Sequence, residues 1–482
     1  MRDISELKPY EVFKNFQIIS SIPHGSGNTK KISDYCVERA KKLNYKYVQD
    51  QADNVIIYVD GTQGYENAKP VALQGHIDMV CDKTDGCAID MQNDPLQLLC
   101  DEEYIFANNT TLGGDDGVAI AYMLTLMEDK TISHPPLELI FTADEEIGMI
   151  GARAIDVKNL HTNRLINIDS EVEGILTVSC AGGVRAVCSV PFTTEKATGT
   201  AFAFTIAGLK GGHSGTEINK GRVNANKLTG RMLNYIYQET EFKICSISGG
   251  KKYNAIPKEA VATVCVESSN QEEFIAAAKK FITMIKNEKI VNEPDLHISV
   301  EPCRLSEKCM DHHSTHTVLF TLLQIPDGVQ TMSPDIANMV QTSLNMGIME
   351  TKADHIAMSF LLRSNAAAGK QAIIQKLKSF IEYLNGNIEF MSDYPAWEYR
   401  ADSKLRDIMV KVYSELYGEE PVVTAIHAGL ECGILAGKIT NMDAVSFGPN
   451  IYHAHTPEEK MEIASVERCW EYLKAVLKKL KE

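Results

Sequence analysis

Short apolar runs, each closed by an acidic or imidazole side chain, recur through the first part of the chain. Val71-Ala-Leu-Gln-Gly-His76-Ile-Asp78, Leu137-Glu-Leu-Ile-Phe-Thr-Ala-Asp144-Glu145-Glu146 and Leu165-Ile-Asn-Ile-Asp169 share this form. The runs are too short and too rich in β-formers for amphipathic helices, so they predict central strands of a sheet covered on both faces. A fourth segment, Thr111-Leu-Gly-Gly-Asp115-Asp116-Gly117, places two carboxylates among glycines. In open α/β sheets, sites gather beyond the carboxyl ends of such strands. The fold class is therefore α/β.

Elsewhere the pattern changes. Residues 11–20, 30–43 and 466–481 have helical periodicity, the last as an amphipathic closing helix. Between these ends, strands are predicted at 201–207, 259–266 and 295–301, a helix begins near 221, and further helices are predicted at 271–286 and 370–384. Strands and helices mixed in this way predict an α+β body.

The 482 residues exceed what one hydrophobic core usually supports. Candidate ligands cluster at 76–169 and return at His455, so the first domain must be discontinuous. The expected division is 1–183 for the first catalytic segment, 184–396 for an inserted domain, and 397–482 for the second catalytic segment. The insert is long enough for two α/β subdomains and has no clear internal repeat.

Carboxylates and imidazoles without cysteine suit zinc, cobalt or manganese at a hydrolytic centre, whereas structural zinc sites usually recruit thiolates. The set is His76, Asp115 or Asp116, Glu145, Glu146 and Asp169, with His455 or its neighbour His453 to complete it. Strand alternation puts His76 and Asp78 on one face, where the Asp78 carboxylate can take the second ring N–H of a liganding imidazole. Adjacent Glu145 and Glu146 point to opposite sides of an extended chain, which predicts one for metal and one for water. Each motif alone is weak, and their joint occurrence after strand-like runs carries the reading. Asp311-His312-His313-Ser-Thr-His316 is read instead as a surface loop or helix start, because no glutamate accompanies its histidines as in His-Glu-x-x-His.

Composition is that of an ordinary globular protein, 44% apolar and 23% charged. The formal charge of −16, from 48 basic against 64 acidic side chains, disfavours nucleic acid as a partner. The N-terminus lacks the apolar core of a signal peptide and no apolar stretch reaches membrane-spanning length, so no membrane partner and a cytoplasmic location are expected. Twelve scattered cysteines, with no Cys-x-x-Cys pair, are read as reduced core residues.

The order His76-x-Asp78, Gly-Gly-Asp115-Asp116-Gly, Asp144-Glu145-Glu146-Ile-Gly, Asp169, Gly211-Gly-His213-Ser-Gly215 and His455-Thr-Pro-Glu-Glu459 resembles the co-catalytic zinc exopeptidases that include carboxypeptidase G and the aminoacylases. Ile325-Pro-Asp-Gly-Val329, Thr342-Ser-Leu-Asn-Met-Gly347 and His427-Ala-Gly-Leu-Glu-Cys-Gly433 resemble the aminoacyl-histidine, or cytosol non-specific, dipeptidases within them. The resemblance implies a discontinuous three-layer α/β/α catalytic domain with a large α+β lid. It also implies two divalent metal ions, most often zinc, with cobalt and manganese as alternatives. His76 and Asp169 would hold one, Glu146 and His455 the other, and Asp115 would bridge them. Glu145 would be the general base, and His213, reaching over from the lid, would stabilise the oxyanion. Asn254 and Arg363 would bind substrate, Arg363 through a C-terminal carboxylate, and His427 and Gly429 would line the pocket for the C-terminal residue. A homodimer is also implied. The two-domain organisation predicts a lid that closes over its substrate.

Three functions remain to be separated. The first is a dipeptidase acting on small dipeptides with a free N-terminus, including Xaa-His compounds such as carnosine. The second is a related aminoacylase or deacylase using the same centre. The third is a non-catalytic peptide-binding protein, against which the complete ligand set and base argue.

Overall fold

The computed structural model describes residues 4–289 and 292–481. The chain separates into two compact units, one of residues 1–179, 399–425 and 430–482, the other of residues 180–398 and 426–429. The short return of 426–429 to the second unit is tied by the Ala181 N–H, which donates to the main-chain oxygens of Ile426 and Ala428.

An eight-stranded sheet organises the first unit. Its strand order is Lys46–Gln49, Val55–Val59, Leu137–Thr142, Val71–His76, Arg164–Asn167, Asp443–Ser446, Ile175–Cys180 and Val422–Ile426. The four strands from Leu137–Thr142 to Asp443–Ser446 run parallel. Val71–His76 and Leu137–Thr142 are buried at every position, as expected of strands covered on both faces. Polar side chains survive there only with partners: Gln74 Nε2 donates to Thr142 Oγ1 at 3.0 Å, and Glu138 accepts the His161 N–H at 2.8 Å.

Helix Gly114–Glu128 is apolar nearly all round and buried from Asp116 to Met127, so it lies inside the unit against Tyr10–Ser20 and the strand Val71–His76. Gly117 is needed at that crossing, since a Cβ there would press on the Phe16 ring. The closing helix Ile463–Lys479 packs on Lys404–Tyr417, and its Trp470 stacks on Tyr122 with ring centroids 5.3 Å apart. No helix among the described residues is long and apolar enough to cross a membrane.

The second unit is built on one nine-stranded antiparallel sheet. Its order is His297–Cys303, Thr200–Ala207, Ala260–Val266, Lys243–Gly249, Val340–Thr351, His355–Ser364, Gly182–Pro191 and Asn387–Tyr394, with Gly328–Met332 beside Val340–Thr351. Burial alternates along Gly182–Pro191 and Thr200–Ala207, the pattern of a sheet with one packed face. Helices Ala225–Glu239, Gln271–Lys289, His312–Gln324 and Ala367–Tyr383 contribute to the core on that face. A single sheet thus runs through the insert, where its length allowed two subdomains.

The helix predicted near 221 begins at Ala225, because the Asn224 side chain caps it by accepting the N–H groups of Asn226 and Lys227. Asp311 likewise caps His312–Gln324, which makes the Asp311–His316 segment a helix start. Most cysteines are buried as expected, but Cys81 and Cys303 are exposed.

Candidate active site

Four chain segments of the first unit deliver the ligand set to one place. His76 ends a central strand, Asp115 opens the buried helix, Glu145 and Glu146 follow the strand Leu137–Thr142, and Asp169 follows Arg164–Asn167. The fifth contributor is His455, in the turn between Ile451–Tyr452 and Lys460–Glu462, which pair with each other in a small four-stranded sheet. Ligand atoms of His76, Asp116 and Asp169, of His76, Glu145 and Glu146, and of Asp115, Glu146 and His455 converge within 4.8 Å in each group. His455 is the histidine brought in, and His453 belongs to none of these groups.

The donor geometry fits two cations. His76 Nδ1 lies 3.0 Å from the main-chain oxygen of Asp78, which can only accept, so in the neutral ring Nδ1 carries the proton and Nε2 holds a lone pair. That nitrogen faces Asp115 Oδ1 at 3.1 Å and Asp169 Oδ1 at 3.7 Å. On the other side, His455 Nε2 lies 3.1 Å from Asp115 Oδ2 and 2.7 Å from Glu146 Oε1. Asp115 thus turns one oxygen to each histidine, an arrangement that a cation on each side would fit.

One detail extends the alternation argument and one departs from it. The strand ends at His76, and Asp78 offers the imidazole its main-chain oxygen as well as its carboxylate, whose Oδ1 lies 3.4 Å from His76 Nδ1. That carboxylate also accepts the N–H groups of Glu145 at 2.9 Å and Glu146 at 3.3 Å and the Ser26 hydroxyl at 2.8 Å. Glu145 and Glu146 both turn toward His76, because the chain leaves the extended state after Thr142. Asp144 has φ 55°, and the N–H groups of Gly148 and Met149 close back on the Glu145 oxygen.

Several supports were not visible in the motifs. Glu459 receives the N–H groups of Leu112 at 2.8 Å, Gly113 at 3.1 Å and Gly114 at 2.8 Å, which fixes the loop that presents Asp115. Asp116 accepts the His76 main-chain N–H at 3.1 Å, and Gly75 leaves room for it, since a Cβ there would collide with the Asp116 carboxylate. Glu431 accepts from Gln74 and Thr142, each at 2.6 Å.

Burial pushes the Glu145 carboxyl up to about 8, opposed by His76 and reinforced by the charges of Glu431, Glu146 and Asp115. Hydrogen bonds to Asp115 and then Glu146 push His455 up to about 11. Burial alone would lower His76, but Asp115, Asp78 and Asp169 hold it well above the usual histidine range.

In the second unit, His213, Arg363, Asn254, His427 and Gly429 also come together. The strand Gly212–His213 pairs with Ala255–Ile256, and Asn254 accepts the Ser214 N–H through its main-chain oxygen at 3.0 Å. Arg363, only 5% exposed, directs Nη2 to His213 Nε2 at 3.2 Å and Nη1 to the Tyr394 hydroxyl at 3.1 Å. Its Nε has no partner, and no carboxylate among the described residues pairs with it. Burial and then the Arg363 charge keep the His213 pKa low, so its ring is neutral. Gly215 lies where a Cβ would strike the His427 main-chain oxygen, and Gly429 where one would strike the Tyr394 ring. Both ring nitrogens of His427 are used, Nε2 with Ser343 at 2.7 Å and Nδ1 with Asn365 at 2.9 Å.

Residues 72–479 match the family described as peptidase family M20/M25/M40. The chain belongs to this family. It is 34% identical over 482 residues to a cytosol non-specific dipeptidase of Escherichia coli (strain K12), spanning 100% of the chain and 99% of that relative. An aminoacylhistidine dipeptidase from Vibrio alginolyticus superposes with a TM-score of 0.95 at 36% identity, covering 99% of this chain and 98% of that one. The aminopeptidase PepT of Bacillus cereus shares the fold, with a TM-score of 0.60 at 14% identity over 99% of this chain and all of its own, 100%. As an M20/M25/M40 peptidase the chain is a hydrolase of mixed α/β fold.

Proposed function

We propose that the protein is a metal-dependent dipeptidase that cleaves small dipeptides with a free N-terminus, Xaa-His compounds such as carnosine among them. The observation that carries the dipeptide reading is Arg363, a buried guanidinium with an unpartnered Nε and no carboxylate beside it. A planar fork of donors left without an anion suits the C-terminal carboxylate of a short substrate. The dipeptidase relatives of Escherichia coli and Vibrio alginolyticus support the same substrate class, and the cytosolic one supports a cytoplasmic location.

His76 and Asp169 would hold one divalent ion, Glu146 and His455 the second, and Asp115 would bridge them, with zinc the expected metal and cobalt or manganese able to replace it. When bound, such ions polarise the scissile carbonyl and lower the pKa of a water. Glu145, left outside the ligand set, takes the proton of the attacking water and returns it to the departing amine. Asp78 keeps Glu145 in place through the Glu145 N–H, and Glu459 fixes the loop before Asp115. His213 and the Arg363 guanidinium behind it would stabilise the negative charge that develops on the carbonyl oxygen. Asn254, His427 and Gly429 complete the substrate-binding set, His427 through its main chain because its ring is occupied.

Hydrolysis of Gly-His, β-Ala-His, Ala-Leu, a tripeptide and an N-acetyl amino acid by metal-stripped protein refilled with zinc or manganese tests this reading. Metal-dependent cleavage confined to free-amine dipeptides is expected. Cleavage of the N-acetyl compound alone would make the protein a deacylase.

A further inference from the structure

Three of the twelve cysteines, Cys245, Cys265 and Cys309, meet on the second unit, outside its main core. Ala260, Ala262, Val264 and Val266 of one strand point into that core, so by alternation Cys265 points to the opposite face of the sheet. There it is covered by the two-stranded ribbon of Thr194–Lys196 and Lys308–Met310. Cys265 and Cys309 pack with Ala197 under the ribbon, 4% and 1% exposed, and Cys245 lies partly exposed against them. Cys245 sits in a β-bulge between Ile244 and Ser246, and a bulge re-aims the side chain it carries.

We propose that this cluster is an oxidation site, in which Cys265 is the nucleophilic thiolate that reduces a small peroxide and Cys245 is the thiol that resolves it to a disulfide. The chemistry has two steps. The Cys265 thiolate attacks hydrogen peroxide, forming Cys265–SOH and releasing hydroxide. The Cys245 thiol then displaces that hydroxyl, the S–S bond forms, and water leaves with the thiol proton. Two thiols lose two electrons, and the peroxide gains them to become two waters.

The surroundings of Cys265 favour the thiolate. The Cys245 thiol beside it favours its ionised form most, with the Cys309 thiol, the Thr198 N–H and Lys243, its cross-strand partner, acting in the same direction. Together they outweigh burial and bring the Cys265 thiol down to about 6, whereas Cys245 is raised chiefly by Cys265 and Cys309 chiefly by burial. Cys245 is the partner because it is the member of the cluster that solvent reaches, and its strand already pairs with that of Cys265. The exposed Cys303 has burial alone acting on its pKa, in the raising direction, so it serves as an internal reference.

The test treats the metal-loaded protein with limiting hydrogen peroxide, blocks free thiols, and maps peptides by mass spectrometry without reduction. A cross-link between the Cys245 and Cys265 peptides is expected, forming at least tenfold faster than oxidation of Cys303. Cys309→Ser should retain it. In Cys245→Ser, a dimedone adduct should accumulate at Cys265, which keeps the idea testable should Cys265→Ser fold poorly. Oxidation of Cys81 and Cys303 with Cys265 left as a free thiol in both proteins would overturn the proposal. A cross-link from Cys265 to Cys309 alone would overturn the choice of Cys245.

Discussion

Glu146 Oε1 and His455 Nε2 lie 2.7 Å apart. The two atoms come from a turn after a central strand and from a turn near the C-terminus, and a common cation would join them in place of a proton on the imidazole. Removal of metal should therefore be felt in the fold as well as in turnover. Chelation is expected to lower the melting temperature by several degrees, with recovery on adding zinc or manganese, because a ligand bound only by the folded state stabilises it by mass action. His455→Ala should lose one of the two ions, measured by inductively coupled plasma mass spectrometry. Retention of both would remove His455 from the ligand set.

Glu145 is held by the Asp78 carboxylate through its own N–H, so its side chain can be altered without releasing the loop. Glu145→Gln is expected to keep its metal content and lose about 10²–10⁴ in kcat, the usual range for a general base. A rate within a few-fold of the native protein would show that another group takes the proton.

Arg363 should act on binding of the substrate carboxylate. In Arg363→Ala, KM for a free dipeptide should rise steeply, whereas a C-terminal amide should be a poor substrate for both proteins, by roughly 10–100-fold for the native one, from about 1.5–3 kcal/mol for a charged hydrogen bond. Equal use of acid and amide by the native protein would refute this role.

Glu459 carries no chemistry, yet three main-chain N–H groups of the Leu112–Gly114 loop end on its carboxylate. Glu459→Ala strands these buried donors and is expected to cost at least about 3 kcal/mol of stability, from about 1–3 kcal/mol for each group that water cannot reach. Urea unfolding measures it, and a change below 0.5 kcal/mol, the scale of about one neutral surface substitution, would argue against the anchor.

His427 provides a pH dependence away from the candidate metal ligands. Burial and then the Arg363 charge hold its pKa down to about 3. Its folded pKa is below the unfolded value of about 6.5, so the neutral ring's contribution is whole above that pH. As pH falls from there toward 3, the unfolded chain takes up the proton first, and stability is lost at about 1.4 kcal/mol per unit. His427→Gln should flatten the fall of melting temperature between pH 6.5 and 4.5, the window taken from the unperturbed value of about 6.5. An unchanged slope would place the acid sensitivity elsewhere.

The strand endings at His76, Thr142 and Asn167 could be read in the chain because a strand buried on both faces is mostly apolar, and the acidic and imidazole residues that close each run mark where it meets the site. Residue chemistry likewise singled out the oxygen and nitrogen ligands. Local periodicity says nothing about what happens once the strand ends. The turn at Asp144 brings Glu145 and Glu146 to one side, and the bend after His76 adds the Asp78 main-chain oxygen to its carboxylate beside the imidazole; both follow from the backbone course outside any repeat. Contacts between residues hundreds of positions apart were equally invisible. The anchoring of Leu112–Gly114 by Glu459, the isolation of the Arg363 guanidinium and the meeting of Cys245, Cys265 and Cys309 exist only after the sheets have formed. Sequence pattern thus determined the parallel strands and the chemical kind of centre they carry, because burial and ligand softness are properties of each residue. Tertiary structure alone decided which side chains share a point in space, because hydrogen bonds, strand pairing and excluded volume act between distant segments.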